Sequence, residues 1–219
     1  MWYRNIIFDL DGTLTDSEQG IINSVYAACR KLKIATPGSG SYHHHIGIPL
    51  QEYFRKTIGI PDEKIDAAVT YFREYYGKKG VYENRLYPGI YRLLENLSAV
   101  SGLFVATSKL EKYALVVLDN FNIRRFFKGI AGADASGTHA GKTELVKKIM
   151  ALHDIEKGNA TVMVGDKKMD IDAAHDCGID SIGIIYGYAL PGEIETAGPT
   201  HLAGSVEELG KLLLDHRII

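Results

Sequence analysis

Two aspartates stand two residues apart near the start of the chain. Residues 9–14 read Asp-Leu-Asp-Gly-Thr-Leu, directly after the apolar residues 6–8, which are typical of a buried strand. Ligands of parallel α/β sheets bind beyond the carboxyl ends of the strands, so Asp9 and Asp11 can both face that crevice. Gly12 permits a sharp turn that leaves backbone N–H groups free to bind an anion. Alone, the pattern also fits a solvated turn, and its meaning depends on the residues at the ends of the other strands.

Hydroxyl and lysine side chains follow a second apolar run. Thr107, Ser108 and Lys109 come directly after residues 103–106, and hydroxyls at a strand terminus suit phosphate oxygens. Lys142 comes after a glycine at the start of a predicted helix. A cation there opposes the helix dipole, so helix formation does not require this lysine. It is either a solvated side chain or part of the same site.

A second acidic segment follows a later apolar run. Residues 165–170 read Gly-Asp-Lys-Lys-Met-Asp after residues 161–164. If Asp166 and Asp170 lie at a strand end that faces Asp9, the carboxylates form a hard, oxygen-rich site. Such a site suits Mg²⁺.

Short apolar runs alternate with amphipathic segments over most of the chain. Runs that are apolar on both faces indicate parallel strands covered by helices on both sides. Their alternation with helical segments predicts an α/β fold with a doubly wound, Rossmann-like parallel sheet. The predicted strands are residues 6–8, 103–106, 129–131, 161–164 and 181–185, and the predicted helices are residues 91–100, 111–121, 142–153 and 169–177.

One stretch interrupts this alternation. Between residues 16 and 86 no buried-strand run occurs, and the apolar residues recur at helical spacing. We therefore predict an α-helical cap domain over residues 16–86, inserted into an α/β catalytic core formed by residues 1–15 and 87–219.

The composition is that of an ordinary globular protein. The 219 residues are 46% apolar and 24% charged, with a net charge of −2, which gives no long-range attraction to nucleic acid polymers or anionic membranes. The two cysteines, Cys29 and Cys177, lie far apart and are expected to be reduced. The first apolar stretch ends at Asp9, too early for a signal peptide or a membrane span. We expect a soluble cytoplasmic protein.

Taken together, these segments resemble the motifs of the haloacid dehalogenase-like superfamily. The predicted helical insert is similar to its type 1 α-helical cap, and residues 46–50 and 87–89 resemble its phosphoglycolate phosphatase-like branch. Residues 9–14 match the first motif, Thr107 the second, Lys142 the third, and Gly165, Asp166 and Asp170 the fourth.

Two positions depart from the family pattern. Ser108 stands where an asparagine is frequent, and Thr143 follows Lys142 where a proline is frequent. Neither change removes a functional group that the family mechanism needs.

The resemblance implies a role for each motif residue. Asp9 is implied as the nucleophile that forms an aspartyl-phosphate, and Asp11 as the general acid and base. Thr13 is expected to orient Asp11 by a hydrogen bond. Thr107 and Lys142 complete the phosphate site in this scheme. The implied Mg²⁺ ligands are the Asp9 carboxylate, the Asp11 backbone carbonyl and Asp166, with Asp170 outside the direct ligands.

Other residues are candidates for substrate binding. Residues 43–45 are three consecutive histidines, of which at most two can converge on a metal, because consecutive residues do not share one face of a helix or strand. One of them is expected to face the substrate instead, and His44 and His45 are the candidates. Gly47 lies in the same expected substrate-facing stretch, and Lys109 is a candidate substrate contact. Lys167 and Lys168 are expected to be solvated. The remaining candidates for the phosphate site are Gly12 and Ser108.

The sequence thus predicts a Mg²⁺-dependent phosphoric monoester hydrolase. Its expected substrate is a small phosphorylated metabolite, either phosphoglycolate or a nucleoside 5′-monophosphate. Within the family that the chain resembles, dehalogenases lack the second aspartate because a halide leaves without a proton, so Asp11 argues against a dehalogenase. The transport ATPases of the family carry a threonine at the position of Asp11, and no membrane span is predicted here, which argues against a transport ATPase. A sugar phosphomutase and a non-catalytic phosphate-binding or signalling module remain alternatives. The sequence leaves a monomer and a homodimer equally open.

Overall fold

The structure is a computed structural model that describes residues 3–35, 46–134 and 141–214. The strands in this part of the chain are β1 (Asn5–Phe8), β2 (Thr15–Asp16), β3 (Arg85–Leu86), β4 (Gly102–Leu110), β5 (Phe127–Ala133), β6 (Gly158–Gly165), β7 (Ile179–Ile184) and β8 (His201–Ala203). The helices are α1 (Glu18–Leu32), α2 (Leu50–Glu52), α3 (Ile65–Tyr75), α4 (Ile90–Ser98), α5 (Glu111–Asn120), α6 (Lys142–Leu152), α7 (Lys168–Cys177), α8 (Glu193–Ala197) and α9 (Val206–Leu214). Helix α2 continues as a π-helix over Tyr53–Ile58, α3 continues as one over Tyr76–Gly80, and short 3₁₀ helices cover Asp62–Lys64 and Arg124–Phe126.

Six strands form one parallel sheet with the order β5-β4-β1-β6-β7-β8. Strand β1 is central, and its Ile7 pairs with Phe104 of β4 on one side and Met163 of β6 on the other. The chain adds strands outward from β1 in one direction and then in the other, so the order reverses between β1 and β6. Ligands bind at such a switch point in doubly wound folds. The predicted α/β fold with a parallel sheet is confirmed.

The sheet is buried on both faces because alternate strand residues pack against different helices. Ile6 and Phe8 join a core that includes Leu94 and Leu97 of α4. Ile7 points the other way, into a core formed with α6 and α7. All three β1 side chains are fully buried, which explains why the strand reads as a continuous apolar run.

Residues 18–35 and 46–80, which we call the helical block, lie between β2 and β3 in the chain. Helix α3 buries Ile65, Val69 and Phe72 at helical spacing, and α1 buries Val25 and other small residues in the same core. The block is helical, as the sequence predicts, while its division from the core as a separate domain stays a prediction.

A short antiparallel ribbon joins the two chain segments that connect the block to the sheet. Strand β2 pairs with β3 through Thr15–Leu86 and Asp16–Arg85. The Arg85 guanidinium also donates to Asp16 Oδ2 through Nε at 2.9 Å and one terminal nitrogen at 2.7 Å. The sequence did not predict this ribbon, because two residues per strand are too few to show an alternating pattern.

The elements after β7 were also not predicted. Strand β8 lies at the sheet edge and pairs only with β7 among the described strands, so it lacks the apolar pattern of a central strand. Helix α9 could have been recognised, because Leu209 and Leu213 are buried and four residues apart. Within the described ranges, none of the helices is both long enough and apolar enough to span a bilayer.

Candidate active site

Three buried aspartates meet at the switch point of the sheet. Asp9 directly follows β1, Asp166 directly follows β6, and Asp170 lies in the first turn of α7. Asp9 is 7% exposed and the other two are fully buried. One carboxylate oxygen from each residue lies within 4.8 Å of those of the other two. The parallel topology places these acids together, as predicted.

Two glycines make this close approach possible. Gly12 has a φ of +89°, and a Cβ there would lie 2.2 Å from Asp166 Oδ2. A Cβ at Gly165 would lie equally close to the carboxyl carbon of Asp170, at 2.2 Å. A larger residue at either position would push an aspartate out of the cluster, because real Cβ contacts do not approach this closely.

Lys142 is the cation at the centre of this cluster. It begins α6, is 6% exposed, and its Nζ lies 2.7 Å from Asp9 Oδ1 and 2.9 Å from Asp170 Oδ1. It also donates to the Ala106 carbonyl at 3.1 Å. Burial opposes its charge, but Asp170 and Asp9 raise the pKa of Lys142 above its ordinary value. Its ammonium is therefore part of the site and not a solvated side chain.

The acidic cluster carries more negative charge than Lys142 balances. Burial raises the pKa of Asp9 to about 6 against the opposing charge of Lys142, and Asp170 contributes further. Burial, with the charges of Asp9 and Asp170, holds the pKa of Asp166 well above its ordinary value. Closely packed, buried carboxylate oxygens of this kind suit a hard divalent cation.

Asp11 is held by Lys109. Its Oδ2 lies 2.7 Å from Lys109 Nζ, and Lys109 also donates to the Tyr76 hydroxyl at 2.6 Å. The expected bond between Thr13 and Asp11 is wrong, because the Thr13 hydroxyl instead donates to Asp166 Oδ1 at 3.2 Å. The reason is the tight turn at Gly12, which brings Thr13 over the end of β6.

Five further residues were predicted to belong to the site, and the structure describes three of them. Thr107 is buried at 2% exposure where β4 passes the site, whereas Ser108 is exposed. Gly47 lies close to Lys167, since a Cβ on it would be 3.9 Å from Lys167 Cε. His44 and His45 lie outside the described residues.

A cavity of about 350 Å³ opens above Asp9 and Asp11. The sheet side of its wall includes Thr107, Ser108, Lys109 and Lys142. The opposite side is largely apolar and comes from the helical block. Its members there include Ile21, Ile46, Gly47, Ile48, Leu50, Tyr53, Phe72, Arg73 and Tyr76, and Tyr113 of α5 adds a further ring.

The expectation of a solvated Lys167 is wrong. Lys167 is 7% exposed and its Nζ donates to the Tyr188 carbonyl at 2.6 Å. Tyr188 was not predicted, although it lies in the segment that follows β7. Its backbone N–H donates to Asp166 Oδ2 at 2.7 Å and its hydroxyl to Asp16 Oδ1 at 2.9 Å. Tyr188 therefore connects the acidic cluster to the β2–β3 ribbon. Lys168, in contrast, is solvent-exposed as expected.

Known proteins resemble this chain over nearly its whole length. A 5′-nucleotidase of Pseudomonas aeruginosa is 36% identical over 98% of this chain and 97% of its own. The tyrosine-protein kinase PtkA of Mycobacterium tuberculosis is 35% identical over 95% of this chain and 72% of its own. A phosphoglycolate phosphatase of Vibrio parahaemolyticus is 28% identical over 93% of each chain.

Solved structures share the fold. A crystal structure of a Clostridium difficile protein superposes with a TM-score of 0.90 at 37% identity, covering 98% of this chain and 100% of that one. The model of the haloacid dehalogenase-like hydrolase family matches residues 6–184. This match spans β1 to β7 and includes all four predicted motifs. The resemblance predicted from the motifs is thus confirmed, and the chain belongs to the haloacid dehalogenase-like hydrolase family.

Proposed function

We propose that this enzyme is a Mg²⁺-dependent phosphatase that hydrolyses a small phosphorylated metabolite through an aspartyl-phosphate on Asp9. Family membership and the phosphatase names among its relatives support phosphoric monoester hydrolysis. The observation that carries the proposal is the buried cluster at the switch point. It combines a carboxylate nucleophile, Asp9, with a cation 2.7 Å away on Lys142 and further acids suited to a metal.

The donor set fits Mg²⁺. Asp9, the Asp11 backbone carbonyl and Asp166 would hold the ion, because they supply hard oxygen ligands next to one another. Asp170 is less available, since Lys142 Nζ lies 2.9 Å from its Oδ1 and the Lys167 N–H donates to its Oδ2 at 3.0 Å. When bound, the ion supplies positive charge that offsets the repulsion between a carboxylate and a phosphate.

The chain's own residues supply the remaining chemistry. Asp9 attacks phosphorus in line with the leaving oxygen, so that a bond to Asp9 forms as the ester bond breaks. Asp11 gives its proton to the leaving oxygen and later removes one from the water that attacks the phosphorus of the intermediate. Lys142 balances charge on Asp9 and the phosphoryl group, and Thr107 offers a hydroxyl to its oxygens.

The helical block acts as a cap in this proposal. It supplies the wall of the cavity opposite the sheet, and the β2–β3 ribbon is the natural hinge because both connections to the block pass through it. Closure over the cavity excludes water during phosphoryl transfer. A cavity of this size admits a small metabolite and excludes a nucleic acid polymer.

The cavity wall favours a nucleoside 5′-monophosphate over phosphoglycolate. Its aromatic side chains, Tyr53, Phe72, Tyr76 and Tyr113, line the wall with apolar ring surface that a base can contact. The carboxylate of phosphoglycolate instead needs a cation. The ammonium groups of Lys109, Lys142 and Lys167 already bind protein oxygens, so among the described residues that line the cavity Arg73 is the cation left for it.

The first test is a rate comparison across phosphorylated compounds with Mg²⁺. We expect kcat/KM for a nucleoside 5′-monophosphate to exceed that for ribose 5-phosphate and phosphoglycolate by about 10–100-fold, the value of stacking one base. Ribose 5-phosphate is the matched control, because it keeps the sugar and the 5-phosphate and carries a hydroxyl in place of the base. Equal values for the nucleotide and ribose 5-phosphate would contradict the assignment of the aromatic wall.

The same assay separates the rival activities. A phosphomutase would return the phosphoryl group to an isomer of the sugar phosphate without releasing phosphate, and a non-catalytic binding module would turn over nothing. A further arm with ATP and a tyrosine peptide tests the activity for which the relative PtkA is named. Phosphate release from monoesters without transfer to the peptide is the result that we expect.

Metal binding is tested by stability as well as by activity. We expect saturating Mg²⁺ to raise the melting temperature at pH 8 by about 5–10 °C. The folded, metal-free protein has an Asp9 pKa of about 6, above the unfolded value of 3.8. The folded state therefore binds a proton on Asp9 more tightly than the unfolded state does. The stability that this proton contributes is full below pH 3.8 and is lost as the pH rises through about 6. At low pH protons also compete with the metal for the carboxylates. The Mg²⁺ effect should therefore be much smaller at pH 5.

Asp166→Asn and Asp172→Asn make a matched pair for this experiment. Asp172 lies on α7, and its exposed carboxylate pairs with Lys168. Asp166→Asn should remove the Mg²⁺-induced shift and Asp172→Asn should preserve it. A shift that survives in Asp166→Asn would exclude Asp166 as a ligand.

A further inference from the structure

Lys109 lies between the proposed general acid and the helical block. Its side chain is 6% exposed, and its Nζ lies 2.7 Å from Asp11 Oδ2 and 2.6 Å from the Tyr76 hydroxyl. The ammonium also lies 4.8 Å from the centre of the Tyr76 ring. Lys109 extends from β4, whereas Tyr76 belongs to the π-helical end of α3. One buried cation thus joins the sheet edge to the opposite wall of the cavity.

The two oxygens of Asp11 have different environments. Oδ2 is bound to Lys109, whereas Oδ1 is buried and has no hydrogen-bond partner among residues 3–35, 46–134 and 141–214. A buried carboxylate oxygen without a hydrogen-bond donor lowers the stability of the folded state. Asp11 lines the substrate cavity, so a bound substrate can supply the partner of Oδ1. The oxygen that must reach the leaving group is the one that Lys109 leaves free.

We propose that Lys109 is a positioning residue for Asp11, and that Tyr76 holds Lys109 in place only when the helical block is seated against the sheet. This inference rests on the proposed function, because it assigns the orientation of its general acid. The sequence predicted Lys109 as a candidate contact of the substrate. In this proposal its main partner is Asp11 instead.

The position of Lys109 is well defined by its neighbours. Burial opposes its charge, but Asp11 and Tyr76 raise the pKa of Lys109 above its ordinary value. The Tyr76 ring stacks on Phe72 at 5.5 Å and meets Tyr113 edge-on at 5.1 Å. Because packed rings hold the hydroxyl in place, movement of the block would move the partner of Lys109 and loosen Asp11. Proton donation by Asp11 is in this way coupled to contact between the helical block and the sheet.

The test compares Tyr76→Phe with Tyr75→Phe. Both remove one hydroxyl from adjacent positions, but Tyr75 donates to Glu83 at 3.0 Å and does not line the cavity. The rate of Asp9 phosphorylation is measured in single turnovers with 4-nitrophenyl phosphate, which has a good leaving group, and with the fastest alkyl phosphate found. Lys109→Met is the second variant, because it removes the cation and keeps the stem.

We expect Tyr76→Phe to slow phosphorylation by the alkyl phosphate about 2–10-fold, the effect of one hydrogen bond. Lys109→Met should slow it about 10–100-fold, the effect of a misplaced catalytic group. With 4-nitrophenyl phosphate both variants should lose clearly less rate than with the alkyl phosphate, since this leaving group needs no proton. Tyr75→Phe should match wild type with both substrates, and KM should change little.

Several results would overturn the inference. Equal slowing of both substrates, or a raised KM with unchanged kcat, would make Lys109 a substrate contact. Equal rates of Asp9 phosphorylation in Tyr76→Phe and Tyr75→Phe would show that Tyr76 does not hold Lys109 in place. This comparison tests the inference even if Lys109→Met does not fold. No phosphate release by the wild type from any monoester would instead show that the proposed function itself is wrong.

Discussion

Asp9→Asn is expected to lower phosphate release by at least about 10⁴-fold, the scale of losing a nucleophile. The amide has nearly the same shape as the carboxylate, and its oxygen can still accept the bond that Lys142 donates to Asp9 Oδ1 at 2.7 Å. The fold should therefore persist while the attacking group is lost. Rates are measured with 4-nitrophenyl phosphate and with the best alkyl phosphate, and folding by circular dichroism and melting temperature.

Asp172→Asn is the matched control for this variant. It makes the same chemical change at an exposed carboxylate on α7, outside the cavity, and should leave the rate within about 2-fold of wild type. Activity of Asp9→Asn above a few per cent of wild type would show that Asp9 is not the nucleophile.

Asp11→Asn is expected to divide substrates by their leaving groups. An alkyl phosphate needs a proton on its leaving oxygen, so its phosphorylation of Asp9 should slow by about 10²–10⁴-fold. 4-Nitrophenyl phosphate should still phosphorylate Asp9 at near the normal rate. The intermediate should then accumulate, because the attacking water has lost its base. Rapid-quench measurement should show a burst of 4-nitrophenolate equal to the enzyme concentration, followed by slow turnover.

The absence of a burst together with equal slowing for both substrates would contradict the role of Asp11. Asp9→Asn serves as the control here, since it should show neither burst nor turnover with either substrate.

The sequence predicted the residues at the strand ends because parallel topology controls where they lie. Apolar runs located β1, β4 and β6, and the carboxyl ends of neighbouring parallel strands meet at one edge of a sheet. The positions of Asp9, Thr107 and Asp166 follow from this rule. A lysine at the start of a helix opposes the helix dipole, so Lys142 was a further local signal. The contacts of Lys142 with Asp9 and Asp170 explain why a lysine occupies this position.

Pairings that depend on distant segments could not be predicted. Lys167 looked solvated because nothing near it in sequence covers it, and the covering carbonyl belongs to Tyr188, 21 residues away. The bond from Lys109 to Tyr76 spans 33 residues and joins the sheet to the helical block. No periodic pattern records such contacts, because each depends on how separate elements pack.

Short and peripheral elements were missed for a different reason. Strands β2 and β3 have two residues each, and β8 has three, which is too short for a period of two to appear. Backbone pairing and neighbouring side chains hold them in place. The bonds from Arg85 and Tyr188 to Asp16 are examples, and they become visible only once the ribbon is formed.

In the proposed mechanism Asp9 carries the phosphoryl group during turnover. The most direct measurement is peptide mapping of Asp11→Asn after acid quench, taken during slow turnover of 4-nitrophenyl phosphate, when the intermediate should be most abundant. We predict one phosphoryl group per chain, on the peptide that contains Asp9 and assigned to Asp9 by fragmentation. A phosphoryl group on another residue, or hydrolysis that continues with no covalent intermediate at any time, would show that Asp9 does not carry the phosphoryl group.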